Sequence, residues 1–210
     1  MTVSLRGTAR RFESRTGALS VRNVFFAGGA GAHRLHAQLE KSARQEISFS
    51  VAECIYGWQA KYEQTWSHVR IRIQLNPDPG ISAETMATLR ETWGTAIRNR
   101  WSNRFGIGRT GESTCMLTFD VDWVTSNAHH VVRVRPGPER SNMTLWDTMD
   151  TGDVAAHEFG HMHGNPDEYI DEACPARNPV NNGTIMDNNS DTVPQRLMAR
   201  LATNVGSSIL

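Results

Sequence analysis

Hydrophobic and polar residues alternate in two stretches of the first half of this chain. Ile47, Phe49 and Val51 are separated by serines, and Val69, Ile71, Ile73 and Leu75 by Arg70, Arg72 and Gln74. A period of two places one set of side chains on a buried face, so both stretches predict half-buried strands. Asn76-Pro77-Asp78-Pro79-Gly80 has the residues of a turn and ends the second. The period then lengthens. Met86, Leu89, Trp93, Ile97 and Trp101 recur every three or four residues, which predicts an amphipathic helix over 83–105. Ser82 is its expected N-cap, and Gly106 and Gly108 its expected stop. Further strands are predicted at 116–124, 130–134 and 143–146. Asp150-Thr151-Gly152-Asp153 carries helix-start residues, with acids where the helix dipole is positive. The helix is predicted over 154–163 and is stopped by Gly164. A loop rich in Asn, Pro and Gly follows to 189, then a closing helix at 193–205. Strands and one helix, followed by helix, loop and helix, indicate an α+β fold.

Composition narrows this picture. The 39% hydrophobic content supports a core. No window approaches the roughly 18 apolar residues of a membrane-spanning helix. Charge cancels overall, 22 bases against 22 acids, but unevenly along the chain. Residues 1–44 carry +6, 45–140 carry +1 and 141–210 carry −7. The basic start, with its Gly- and Ala-rich run at 27–32, is read as a partly ordered extension over 1–44 with a short helix at 35–41. Residues 45–210 are read as one domain. The start lacks the apolar core of a Sec signal peptide. The expected location is the cytoplasm of the producing cell, or delivery by a route that needs no such signal, with the extension engaging a loading or export partner. Arg11, Arg15 and Arg22 are spread out, with no aromatic interleaving beyond Phe12, Phe25 and Phe26, so no nucleic-acid partner is expected. Cys54, Cys115 and Cys174 lie too far apart for a dense disulfide scaffold or a CxxC zinc module. One disulfide with a spare thiol is compatible. Cys115 is expected in the core and Cys174 at the surface.

The candidate chemistry lies in His157-Glu158-Phe159-Gly160-His161. Residues four apart share a helix face, so His157 and His161 can chelate one metal ion. Glu158 is rotated by about 100° and lies beside that ion, where a general base acting on an activated water belongs. At this composition HExxH arises by chance about 0.02 times. The run continues His161-Met162-His163-Gly164-Asn165-Pro166-Asp167, giving HExxHxxGxxD. Gly164 lets the chain turn back, so Asp167 can approach the metal from another side. Glu168 is the competing third ligand. His163 falls on a different helix face and is read as packing or solvated.

This pattern resembles the metzincin clan of zinc metallopeptidases, whose helix reads HExxHxxGxxH. With Asp in third place it is most like the snapalysin type. Gly183-Thr184-Ile185-Met186 is similar to the clan's Met-turn, with Met186 as an apolar floor beneath the metal. The resemblance covers about residues 150–190. It implies a zincin-like α+β fold: a twisted mixed sheet, a long backing helix, an active-site helix, and an irregular C-terminal subdomain with a closing helix. It implies one Zn2+ on His157, His161 and Asp167, and endopeptidase activity with Glu158 as general base. Tyr169 is the candidate oxyanion donor, set against a structural hydroxyl covering the ligand loop. The expected partner is a protein or peptide substrate lying along an edge strand, at 129–135 or 143–146. Asp187, Asn189 and Asp191 alternate as a candidate Ca2+ loop, but lack the Gly and distal Glu of an EF-hand. The alternative functions are a non-catalytic metal-binding interaction or effector protein, and another zinc hydrolase on the same scaffold. The phrase HEFGHMHGNPDEY also resembles, more loosely, peptidase domains of bacterial toxins and injected effectors.

Overall fold

The computed structural model describes residues 43–210. The extension expected at 1–44, with its helix at 35–41, therefore lies outside the described residues except for its last two positions. Strand β1 (Arg44–Glu53) turns through Cys54 and Ile55 into β2 (Tyr56–Thr65), and the two pair antiparallel along their whole length. Trp66 and Ser67 then turn the chain into β3 (His68–Pro77), again antiparallel. Strand β3 is the hub of the sheet. It pairs in parallel with β6 (Thr118–Trp123) and with β7 (His130–Arg135). Ile73 is matched to both Trp123 and His130, so β6 and β7 occupy opposite edges of β3, and β2 precedes β7 on the same edge. Strand β8 (Leu145–Asp147) adds in parallel to β7 and ends the sheet. A smaller sheet joins β4 (Gly106–Gly108), β5 (Cys115–Met116) and β9 (Ser208–Ile209).

The long helix α1 (Ala83–Trp101) packs against β6 and against the second helix, α2 (Gly152–Met162). Ser82 caps α1 as expected, its hydroxyl accepting from the Thr85 amide at 3.0 Å. The predicted apolar stripe of Met86, Leu89, Trp93, Ile97 and Trp101 is buried in one cluster with Val69, Ile71, Ile73, Phe119, Val132 and Val134. Burying a large apolar side chain stabilises by about 1.5–3 kcal/mol, so this stripe fixes α1 on the sheet. Helix α1 in turn fixes α2. The Trp93 indole donates to Asp150 O (3.0 Å) and the Trp101 indole to Ala156 O (2.8 Å). Arg100 pairs with Asp153 at 2.8 Å. Gly152 lies so close that a Cβ there would stand 2.3 Å from the Ala96 methyl. After α2 comes an irregular segment, closed by a 3-10 turn (Gln195–Met198) running into α3 (Ala199–Asn204). The architecture is the expected α+β, zincin-like arrangement: a mixed sheet backed by helices, then a C-terminal subdomain with a closing helix.

Several elements differ from expectation for identifiable reasons. Strand β2 was not predicted, because Glu63 and Gln64 are buried beside Tyr62 and break the alternation. Both are compensated: Glu63 lies 3.3 Å from Arg44 and 3.5 Å from Arg72, and Gln64 donates to Leu201 O at 2.8 Å. Helix α1 ends at Trp101 rather than 105, since Ser102 is extended and Asn103 takes φ 60° to reach Leu117 O at 2.8 Å. Gly106 and Gly108 are not a helix stop but strand β4, where a Cβ at Gly106 would collide with Thr114. The closing helix is shorter than 193–205 and begins as a 3-10 turn after Pro194. Cys174 is buried, in a disulfide with Cys54, and Cys115 is a free, half-buried thiol.

Candidate metal centre

Helix α2 starts at Thr151, whose hydroxyl accepts from the Val154 amide at 3.4 Å. Its periodicity places the His157 and His161 rings on one face with centroids 4.9 Å apart. Each imidazole is oriented from behind. His157 Nδ1 donates to Ile185 O at 2.6 Å, and His161 Nδ1 donates to Asn165 O at 2.7 Å. A carbonyl can only accept, so Nδ1 carries the proton and Nε2 is left to bind a cation.

Helix α2 ends at His163, and Gly164 follows at φ +105°. A side chain there would be strained, and its Cβ would lie 2.5 Å from the Phe49 ring. The turn sends the Asn165 amide back to Gly160 O at 3.0 Å and brings Asp167 over the histidines. Asp167 Oδ1 lies 3.0 Å from His157 Nε2 and 3.1 Å from His161 Nε2. The three ligand atoms fall within 4.8 Å of one another, and no other such group of His, Cys, Asp or Glu occurs among the described residues. Two histidines and one carboxylate, with the imidazoles anchored from outside, suit a tetrahedral Zn2+ with one position open. Burial pushes the Asp167 carboxyl up, but hydrogen bonding to both imidazoles outweighs it and holds Asp167 ionised well below the usual carboxylate range. Burial likewise pushes His161 down, and Asp167 and Glu158 together lift it to about 9.

The neighbouring acids take different places. Glu158 is buried, with Oε2 4.0 Å from His161 Nε2 and without a hydrogen-bond partner. Burial raises its pKa against the pull of both histidines. Glu168, the competing ligand, turns away: it pairs with Arg196 and accepts from the Thr184 hydroxyl, while its amide donates to Met186 O at 2.7 Å. Met186 is fully buried, and its sulfur lies under the helix where a Cβ on Gly160 would come within 2.5 Å. His163 is packed in the core, its ring 4.5 Å from that of Trp101. Tyr169 donates its hydroxyl to Asp167 Oδ2 at 2.8 Å and accepts from Arg140. In the candidate calcium loop, the backbone carbonyls of Asn189 and Asp191 accept from Arg100, and the Asp187 carboxylate accepts from the Gly183 amide.

A cleft of about 810 Å³ opens over the triad. Tyr56, Gly57 and Trp58 form one wall, and residues 139–144, between β7 and β8, the other. Of the two candidate edges, β7 is flanked by β3 and β8, whereas β8 ends the sheet beside the cleft. The wall residues carry functions that no local pattern announced. The Trp58 indole donates to His161 O at 2.8 Å and stands edge-on to the His161 ring at 5.5 Å. Arg177, almost fully buried, binds Glu53 at 2.8 Å and Tyr169 O at 3.0 Å, and lies 3.9 Å from Asp167. Their partners lie 8 to 124 residues away in sequence and follow no repeating interval, so spacing could not reveal them.

No known family model matches this chain, and neither a curated protein nor a solved structure does.

Proposed function

We propose that the protein is a zinc-dependent endopeptidase whose general base is Glu158. The observation that carries this reading is Glu158 itself: a buried carboxylate with one oxygen lacking any hydrogen-bond partner, beside three ligand atoms within 4.8 Å of one another. A site that only held a metal would have no use for an uncompensated acid there, since such a group costs stability. Zn2+, when bound by His157, His161 and Asp167, supplies Lewis acidity that brings the pKa of water from about 16 to about 7. Glu158 takes the proton of the attacking water and later delivers it to the leaving amine. Burial raises its pKa against the pull of both histidines. Asp167 is ionised and directs Oδ1 between the imidazoles, while Tyr169 holds Oδ2. Tyr169 is thus a positioning group for the ligand carboxylate. Met186 supports the helix from below, in the manner of the Met-turn that Gly183-Thr184-Ile185-Met186 resembles, and the third-place Asp keeps the snapalysin-like reading. An extended peptide fits the cleft beside β8, the end of the sheet. The Cys54–Cys174 disulfide favours action in an oxidising compartment, which accords with delivery out of the producing cell.

The test compares purified wild type with Glu158→Ala on a broad peptide library, after metal content is measured. One zinc per chain in both proteins, with cleavage by wild type alone, is the expected result. No bound zinc, or equal cleavage, refutes the reading. Zinc without any turnover in either protein would leave a non-catalytic metal-binding protein.

A further inference from the structure

We infer that Arg140 is a further catalytic residue, donating from its guanidinium to the oxyanion that forms on the scissile carbonyl. This rests on the peptidase reading above.

Peptide hydrolysis at the site requires a donor for new negative charge. The water oxygen bonds to the carbonyl carbon, its proton passes to Glu158, and the carbonyl π pair moves onto oxygen. When the tetrahedral species collapses, that pair reforms the carbonyl, the C–N bond breaks, and Glu158 protonates the departing amine. Donors aimed at the developing oxyanion contribute strongly in such reactions.

Tyr169 was the candidate from the sequence, but its single hydroxyl proton is committed to Asp167 Oδ2 at 2.8 Å. Turning that proton to substrate would release the ligand carboxylate. Arg140 has no such conflict. Among the described residues lining the cleft it is the one Lys or Arg, and the lining otherwise includes Glu139, Asp150, Glu158, Asp167 and Asp187. It donates through Nη2 to Tyr169 and stands 5.3 Å from the centre of the tyrosine ring. The rest of the guanidinium donates to no other described residue, and the side chain is exposed to the cleft. Its head is therefore one hydroxyl away from the carboxylate that completes the triad.

The backbone that carries Arg140 is fixed, although its exposed side chain is held only through Tyr169. The Glu139 amide donates to Asp147 Oδ2 at 2.9 Å, and the Ser141 hydroxyl to Asp150 Oδ2 at 2.6 Å. Arg140 O accepts from Arg135 at 2.8 Å. Asp147 and Asp150 immediately precede α2, so the loop bearing Arg140 is tied to the start of the helix that bears the histidines. A planar cation on a fixed root can follow an oxygen as it moves from trigonal to tetrahedral geometry.

Arg140→Met, Arg140→Lys and Tyr169→Phe test this with three readouts: zinc affinity, the division between kcat and KM, and calorimetric binding of a phosphinic peptide that imitates the tetrahedral anion. Arg140→Met should lower kcat about 100-fold with KM and zinc affinity little changed. It should weaken phosphinic-peptide binding by a similar factor, and Arg140→Lys should restore part of both. Tyr169→Phe should act mainly on zinc affinity, by about tenfold. Unchanged phosphinic-peptide binding in Arg140→Met overturns the assignment. So does a KM effect confined to substrates with acidic side chains, which would make Arg140 a specificity residue. Loss of anion binding in Tyr169→Phe alone returns the role to the tyrosine. Absence of zinc from the wild type would instead refute the underlying peptidase reading, and is seen before any variant is made.

Discussion

The two sides of the cleft are built in opposite ways. The metal-facing side is one helix and the turn after it. His157, Glu158 and His161 are placed by helical periodicity, and Asp167 by a glycine that turns the chain back within three residues. The wall opposite β8 is sewn together from distant segments. Tyr56 donates to Asp171 at 2.6 Å, Arg177 reaches Glu53, and Cys54 is bonded to Cys174 across 120 residues. The first side takes the placement of its ligands from local rules, with α1 as its platform and Ile185 O orienting His157 from behind. The second has no local rule and depends on long-range closure. Damage to the wall should therefore leave the helix intact, and damage to the ligand turn should leave the wall intact.

The largest expected effect concerns the wall. Replacing Cys54 and Cys174 by Ser removes a cross-link between residues 120 apart in sequence, and loop-closure entropy assigns it about 5 kcal/mol. Chemical denaturation should show a loss of that order. Native hydrogen exchange should place the loosening at 53–58 and 169–177, with α2 amides little changed beyond the global shift. Equal acceleration throughout α2 would break the comparison, since it would mean that the helix borrows its order from the wall.

A second experiment separates two adjacent carboxylates on the ligand side. Asp167→Ala should weaken zinc binding by about 100-fold or more, beyond the usual range of an outer-shell change. Glu168→Ala should change zinc affinity by less than about tenfold. It should instead cost about 2 kcal/mol of stability, because Arg196 and Thr184 lose a buried partner. Competitive chelator titration and denaturation measure the two quantities. The reverse pattern would reassign the third ligand.

The same division explains what could be read in the chain. The apolar stripe of α1, the alternation of β3 and the register of His157 with His161 are local periodicities, and each appears in the structure where it was expected. The turn at Gly164 was legible because only glycine suits both its φ and its closeness to Phe49. Strand β2 was not legible, because burial of Glu63 and Gln64 is tolerated only through Arg44, Arg72 and Leu201, none of them near in sequence. Trp58, on that strand, was lost with it. Cys174 looked like an exposed cysteine because it lies in the loop between the ligand turn and Met186; its burial follows from the partner 120 residues earlier. Spacing favoured Asp167 over Glu168 as the third ligand without closing the choice, because what turns Glu168 away is where Arg196 and Thr184 stand.

The smallest effect tests the seam between the two sides. The indole of Trp58 donates to His161 O, one of the last carbonyls of α2, which also accepts from the Gly164 amide at 3.0 Å. Its ring also meets the His161 imidazole edge-on. Trp58→Phe keeps an aromatic ring against the imidazole and removes the donor. One lost hydrogen bond of this kind costs about 1 kcal/mol, and denaturation should show that loss. Because His161 is oriented chiefly by Asn165 O, zinc affinity should fall by only about threefold, near the lower limit of outer-shell effects. A drop as large as that of Asp167→Ala would mean that the distant wall, and not the helix and its turn, sets the position of the second imidazole. The separation between a locally specified ligand face and a stitched wall would then have to be abandoned at that residue.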